Sequence, residues 1–244
     1  MISPAASSPA DLAVFRPLRS GNVFEETVER LLGAIKLGLV APGQRLPPER
    51  DLAARLDVSR MTLREALKAL QRTGWVESAR GRYGGTFVSA SLPRLSRAAA
   101  RRLALGAGGE LDDLLVHRHV LEAGAAEQAA TRRLPAPEAG ALLARLEECA
   151  GGDLAGYRRL DSRLHLAIAE ATGSPSLTAA VADVRMRVNI MLDAIPVLER
   201  NVGHSDDQHA EIVHAIVGDD PAAARQAMAD HLDATAALLR GFLG

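Results

Sequence analysis

The sequence predicts a mainly α protein, with an N-terminal winged helix-turn-helix carrying a small β-hairpin wing and a C-terminal all-α antiparallel helical bundle. Three observations predict it. Residues 46–53 and 58–67 are short amphipathic runs whose separation leaves room only for a helix-turn-helix corner. Residues 75–78 and 86–89 then read as short β runs around a glycine-rich, basic tip, Arg80-Gly81-Arg82-Tyr83-Gly84-Gly85. From about residue 98 alternation is scarce, and Ala, Leu, Arg and Glu dominate between Gly and Pro breaks.

The opening residues 1–20, rich in Ser, Pro and Ala without a period, read as a flexible tail. The winged helix-turn-helix then spans 21–90. Its first helix is carried by Val23, Val28, Leu31, Leu32, Ile35 and Leu39, and Ala41-Pro42-Gly43 turns the chain after it. The second helix opens with Pro48 in its first turn and buries Leu52, Ala53 and Leu56. Asp57-Val58-Ser59 forms the corner. Ser59 is an N-cap type ahead of the apolar period Leu63, Ala66, Leu67, Leu70, which fixes where the third helix starts and which side it buries.

The opposite face of that helix carries Arg60, Arg64, Lys68 and Gln71, spaced to project together. A basic face of this kind suits phosphates and guanine edges, and it equally suits solvent. The corner before it and the glycine-rich tip after it favour a helix for the DNA major groove. Thr73-Gly74 stops the helix, and glycine at the wing tip lets the chain approach a DNA backbone closely.

Residues 91–244 read as a linker helix, starting within 97–102, and an all-α bundle. Breaks at 106–109, 135–137, 151–152, 172–175, 196–205 and 218–221 leave about six helices, enough to enclose a cavity. The 244 residues are 48% hydrophobic, ample for two cores. The net charge of −1 divides unevenly: residues 1–90 hold 13 Lys and Arg against 9 Asp and Glu, and the remainder 16 against 21. The basic part is the one that would meet phosphate. A lone cysteine, Cys149, excludes an internal disulfide, and no signal peptide or membrane span is evident, so a cytoplasmic location is expected.

A second constellation lies in the helical half. Asp161 and His165 are four apart and share a helix face, while His209 and His231 stand nearly equidistant from the 218–221 turn. In an antiparallel hairpin such residues face each other. Three imidazoles and a carboxylate suit a divalent transition metal, zinc first, with nickel or manganese as alternatives. The plainer reading is four separately packed side chains, and His117, His119, His204 and His214 show that histidines without ligand spacing occur in this chain.

Pro42-Gly43, Leu46-Pro47, Glu49-Arg50, Leu52-Ala53, Val58-Ser59-Arg60, Arg64-Glu65-Ala66-Leu67, Gly74 and Gly84-Gly85-Thr86-Phe87-Val88 together resemble the DNA-binding domain of the GntR family of bacterial transcription regulators. The resemblance implies DNA contacts at Arg50, Ser59, Arg60, Thr62, Arg64, Arg80 and Gly81. Tyr83 departs from a common glycine. Farther on, Asp112-Asp113-Leu114-Leu115, Arg118, Leu121-Glu122, 161–165, His209, Ile212, Ala215-Ile216, Gly218-Asp219, Met228 and His231-Leu232 resemble the effector-binding (FCD) domain of its FadR subfamily. There the resemblance implies a metal held by Asp161, His165, His209 and His231. Leu164 and Ser174 replace a common aromatic and a common Asn.

The effector so implied is a small organic acid or sugar acid. Arg118 is then a carboxylate clamp, with an ion pair to Glu122 as its alternative role, and Arg185 and Asn189 also line the pocket. The function so implied is a homodimer on a palindromic DNA operator, a repressor released by its ligand and not an enzyme. Two alternatives stand beside it. One is an acyl-CoA-responsive regulator without metal. The other is a metal-dependent hydrolase with a DNA-binding appendage, disfavoured because the nearest carboxylates in sequence, Glu170 and Glu211, are not placed as a general base.

Overall fold

A computed structural model describes residues 23–81, 84–93, 110–195, 197 and 199–243. The expected tail, Arg82 and Tyr83, and the expected linker start at 97–102 lie outside the described residues.

Helix α1 (Val23–Lys36) has Glu25 and Glu26 in its first turn and Lys36 in its last, matching the helix dipole. It stops three residues short of Leu39. Gly38, at φ +71°, donates to Ile35 O at 3.0 Å, and Leu39 donates to Ala34 O at 3.0 Å, a glycine-closed end that leaves Leu39 47% exposed. Helix α2 (Glu49–Arg55) follows Pro48, and Asp57 at φ +51° turns the corner. Helix α3 (Arg60–Arg72) is capped by Ser59, whose Oγ accepts the Thr62 N–H at 3.0 Å. Leu63, Ala66, Leu67 and Leu70 pack under it against Leu31, Ile35 and Ala53, as their period implies.

Strands β1 (Val76–Ala79) and β2 (Gly85–Val88) pair antiparallel, Val76 opposite Val88 and Ala79 opposite Gly85. Each sits one residue off its sequence-based position. The reason lies in a third segment: Leu46 donates to Thr86 O and Val88 donates to Gln44 O, so residues 44–46 run along the outer edge of β2 and help set its register.

The helical half consists, among the described residues, of α4 (Glu110–Thr131), α5 (Ala136–Ala150), α6 (Tyr157–Ala171), α7 (Pro175–Leu192), α8 (Glu199–Val217) and α9 (Pro221–Leu243). Prolines start three of these helices, at or beside their first residue. Ser174 caps α7 through Leu177 N, and Asp220 caps α9 through Ala223 N at 2.9 Å. The expected break over 196–205 is too long: α8 already runs from Glu199. Gly203 and Asn201 are weak helix formers, but Ser205 and Gln208 just beyond them contact His231 of α9 and tie this end of the helix down. Helices α4 and α9, and α8 and α9, pack along their lengths. One core joins Ala123, Leu146, Leu164, Ile212 and Met228, and a second joins Leu114, Val184, Val188 and Leu239.

The two halves meet at the end of α1. Leu37 is 1% exposed and packs with Ala125, Leu166, Ala169 and Val181 of the helical half. Two ion pairs flank it: Arg30 with Asp183 at 2.6 Å and Lys36 with Asp193 at 3.0 Å.

Candidate nucleic-acid interface and metal centre

Helix α3 presents Arg60, Arg64, Lys68 and Gln71 on its exposed side, as the spacing implied. Arg64 is held by Glu49 of α2 through Nε at 2.8 Å, and Lys68 by Glu65 at 2.8 Å. Arg50 is exposed beside Asp51. Ser59 and Thr62 are engaged with each other, Oγ to Oγ1 at 2.8 Å, in the cap. Arg80 and Gly81 lie exposed at the wing turn, where Gly81 takes φ +103°, a conformation that favours glycine. Met61, 74% exposed on the first turn of α3, was not singled out from sequence, because its position fits neither the apolar period nor the basic row. A side chain of this kind suits a thymine methyl.

In the helical half the four metal-type residues converge. One ligand atom from each of Asp161, His165, His209 and His231 lies within 4.8 Å of the others, all four side chains buried. The His209 and His231 rings stand 4.6 Å apart across the α8–α9 hairpin, and His165 is 5.1 Å from His231. Asp161 Oδ1 lies 3.3 Å from His209 Nε2 and 3.7 Å from His165 Nε2.

The outer nitrogens are accounted for separately. His165 Nδ1 abuts the carboxylate of Glu122. His231 Nδ1 faces Gln208 Oε1 at 3.2 Å and Ser205 Oγ at 3.5 Å. His209 Nδ1 faces Cys149 Sγ and Asp206 Oδ1, both at 3.9 Å. The inner nitrogens of His165 and His209 are buried without a hydrogen-bond partner among the described residues. Inward-facing imidazole nitrogens without a hydrogen bond around a carboxylate fit a divalent metal, and each outer nitrogen has a polar group beside it that can orient the ring.

The electrostatics agree with that fit. Burial by itself raises the Asp161 carboxyl, but Arg185, His165 and His209 outweigh it and hold it well below its ordinary value, so it is ionised. Burial pushes His165 down to about 4 against the pull of Glu122, and burial with the neighbouring imidazoles holds His231 well below its ordinary value. Both are therefore neutral near pH 7, the form that ligates. Burial raises the Cys149 thiol, which stays protonated.

A cavity of about 260 Å³ opens beside the cluster, walled by Asp161 and His231, by Arg118, Tyr157 and Arg158, and by the apolar Leu192, Ile195 and Leu238. Arg118 is 2% exposed; its Nε donates to Glu122 Oε1 at 2.9 Å, while its Nη1 has no partner among the described residues. The ion pair to Glu122 weighed for Arg118 is thus present, on a residue that also lines the cavity. Arg185 and Asn189 were expected in the pocket and are not among its lining residues. Arg185 instead grips Asp161 Oδ2 from behind, and Asn189 donates to Ser162 Oγ at 2.9 Å, which Arg185 also reaches at 3.1 Å. Arg185 backs Asp161 and Asn189 backs Ser162, because the face of α7 that carries them turns into the bundle.

Sequence reasoning passed over Glu122 as a site residue, noting it only as a partner of Arg118. It also passed over Asn201, Val202, His204, Ser205 and Gln208 of the cavity wall. Four of these fall inside the break wrongly expected over 196–205. Glu170 and Glu211 are both exposed, away from the buried cluster.

Comparison with known proteins agrees with this geometry. A family model for bacterial regulatory proteins of the gntR family matches residues 24–88, and one for the FCD domain matches residues 113–234. The chain is 32% identical over 238 residues to a protein named as an HTH-type transcriptional regulator, RmpR, of Mycobacterium gastri, covering 93% of this chain and 84% of that one. It is 29% identical over 227 residues to the Exu regulon transcriptional regulator of Escherichia coli strain K12, covering 89% and 84%. A solved structure of E. coli McbR/YncC shares the fold, with a TM-score of 0.55 at 20% identity over 90% of this chain and 97% of that one. These relatives are regulators, which sets the hydrolase reading aside. The chain belongs to the GntR family of bacterial transcription regulators, with an FCD domain behind its winged helix-turn-helix.

Proposed function

We propose that this regulator is a cytoplasmic homodimer on a palindromic DNA operator, acting as a repressor released by a small carboxylate metabolite, an organic acid or sugar acid. The observation that carries the effector reading is the unpartnered Nη1 of buried Arg118 in the wall of a cavity that Asp161 and His231 also line. A buried guanidinium with a free fork arm calls for an anionic acceptor.

Asp161, His165, His209 and His231 would hold a divalent ion, zinc by its affinity for imidazole, with nickel or manganese as alternatives. When bound, the ion would supply a Lewis-acid contact for one carboxylate oxygen. Arg118 would take the other oxygen, Tyr157 would donate from the side, since burial and the charge of Asp161 keep its phenol protonated, and Leu192, Ile195 and Leu238 would exclude water. A cavity of about 260 Å³ fits a small metabolite and leaves no room for an acyl-CoA, which disfavours that alternative.

On the DNA side, Arg60, Arg64 and Met61 would read base edges, while Ser59, Thr62, Arg50, Arg80 and Gly81 would meet the backbone. The test is operator selection from a random duplex pool, followed by binding of the zinc-loaded protein with and without candidate carboxylates. Selection of a two-fold-symmetric site whose affinity falls when one carboxylate is added is the expected result. A selected site indifferent to every acid would remove the effector reading and leave DNA binding in place.

A further inference from the structure

One wall of the cavity leads directly to the winged helix. Arg158 of α6 lines the cavity and has both arms engaged: Nη1 donates to Asp193 Oδ1 at 3.3 Å, and Nη2 donates to Ile195 O at 2.8 Å. Asp193, the residue that caps the end of α7, spends its other oxygen on Lys36, Oδ2 to Nζ at 3.0 Å. Lys36 is the last residue of α1, and its ammonium sits 5.8 Å from the ring centroid of Trp75. Trp75 stands immediately before β1, and its carbonyl accepts the Ser89 N–H at 3.0 Å on the far side of the wing. Cavity, α7 end, α1 end and wing base are thus joined by consecutive polar contacts.

We propose that Arg158, Asp193 and Lys36 form an ionic relay through which occupancy of the cavity changes how the winged helix is seated on the helical domain. The relay rests on the carboxylate reading above. Asp193 divides one negative charge between two cations, and Arg158 is the cation that an incoming carboxylate can attract. Its 3.3 Å contact is the longest of the relay's three hydrogen bonds and the first to be given up.

As Arg158 turns toward the ligand, Asp193 is left to Lys36 alone. The ammonium is then drawn toward Asp193 and away from the Trp75 ring. Side-chain exposures of 14% for Lys36, 22% for Arg158 and 31% for Asp193 place these charges where water screens them only in part, so the exchange of partners carries free energy. The insertion of Leu37 and the Arg30–Asp183 pair keep the halves together while this happens. The relay therefore adjusts the seating and does not release it.

Trp75 is the only tryptophan of the chain, which makes its emission a reporter at the relay's far end. The full-length, zinc-loaded protein is screened by calorimetry against acetate, L-lactate, malonate, citrate and D-gluconate, and Trp75 emission is followed while the tightest binder is titrated. A saturable emission change with the calorimetric midpoint is expected. Asp193→Asn should bind the acid within about threefold of wild type and lose the emission change, Asp193→Glu should recover part of it, and Arg30→Ala, which breaks the other interdomain pair, should keep it. An undiminished change in Asp193→Asn, or acid binding in wild type without any change, overturns the relay while the carboxylate reading survives. Binding of none of the five acids overturns that reading and the relay with it.

Discussion

Glu122 sets its carboxylate against Nδ1 of His165, on the side of the ring away from Asp161, so that Nε2 faces the centre of the buried cluster. The same carboxylate takes the Nε–H of Arg118, a residue that also lines the cavity. One buried acid therefore orients a metal-type ligand and the carboxylate clamp together. It stays ionised because Arg118, His165 and Arg185 outweigh the cost of its burial.

Replacing Glu122 by Gln keeps its volume and removes its charge. We expect roughly ten- to hundredfold weaker zinc binding, the usual cost of losing an outer partner of a ligating histidine, with helical content near wild type. Competition against a chromogenic chelator measures it. Zinc affinity equal to wild type would mean that Glu122 does not orient His165.

Arg60→Ala and Arg64→Ala should each weaken binding to a selected operator roughly ten- to hundredfold and relax base preference at one position, while far-ultraviolet circular dichroism is unchanged. Arg64 must first leave Glu49, so Glu49→Gln should bind DNA no more weakly than wild type. Fluorescence anisotropy at fixed salt decides the matter. Wild-type affinity in both arginine variants contradicts the placement of α3 in the groove.

Much of this was legible beforehand. The helices of the winged domain were readable from apolar residues at helical spacing, most strictly in α3, where Leu63, Ala66, Leu67 and Leu70 are all buried, whereas α2 buries only Ala53 and leaves Leu52 and Leu56 half-buried; Ser59 marked a start that its cap hydrogen bond bears out. The pairing of His209 with His231 followed from symmetry about a single turn. What remained hidden depended on contacts distant in sequence. The register of β2 is set with residues 44–46, the first turns of α8 are tied to α9 through Ser205 and Gln208 at His231, and the difference between Arg118 in the wall and Arg185 behind it depends on how α4 and α7 rotate in the bundle. Helical spacing alone carries no information about that rotation.

Arg118→Ala should retain zinc and lose the acid: metal content as in wild type, and carboxylate affinity down by about a hundredfold, because both the fork and its charge go. Calorimetry on the zinc-loaded variant measures it. A variant that binds the acid as tightly as wild type assigns Arg118 to the Glu122 ion pair alone.

The metal-free protein should lose stability as it is acidified. His165 titrates in the fold at about 4 against an ordinary 6.5, with burial the main cause, so between these values the unfolded chain takes up a proton that the folded chain refuses. The contribution is complete above 6.5 and is lost as pH falls toward 4. His231 shifts in the same direction. In the presence of a chelator, Tm should be level above about pH 7 and fall steadily below 6.5, with a shallower fall in His165→Gln. A Tm independent of pH between 7 and 5 contradicts the burial of neutral imidazoles.

Everything proposed for the effector cavity depends on one divalent ion held beside it by Asp161, His165, His209 and His231. The most direct measurement is elemental analysis of the protein purified without chelator, alongside a His209→Ala, His231→Ala double variant. About one ion per chain is expected in the wild type and none in the variant, with zinc the leading element. No metal in either protein, or equal metal in both, contradicts it.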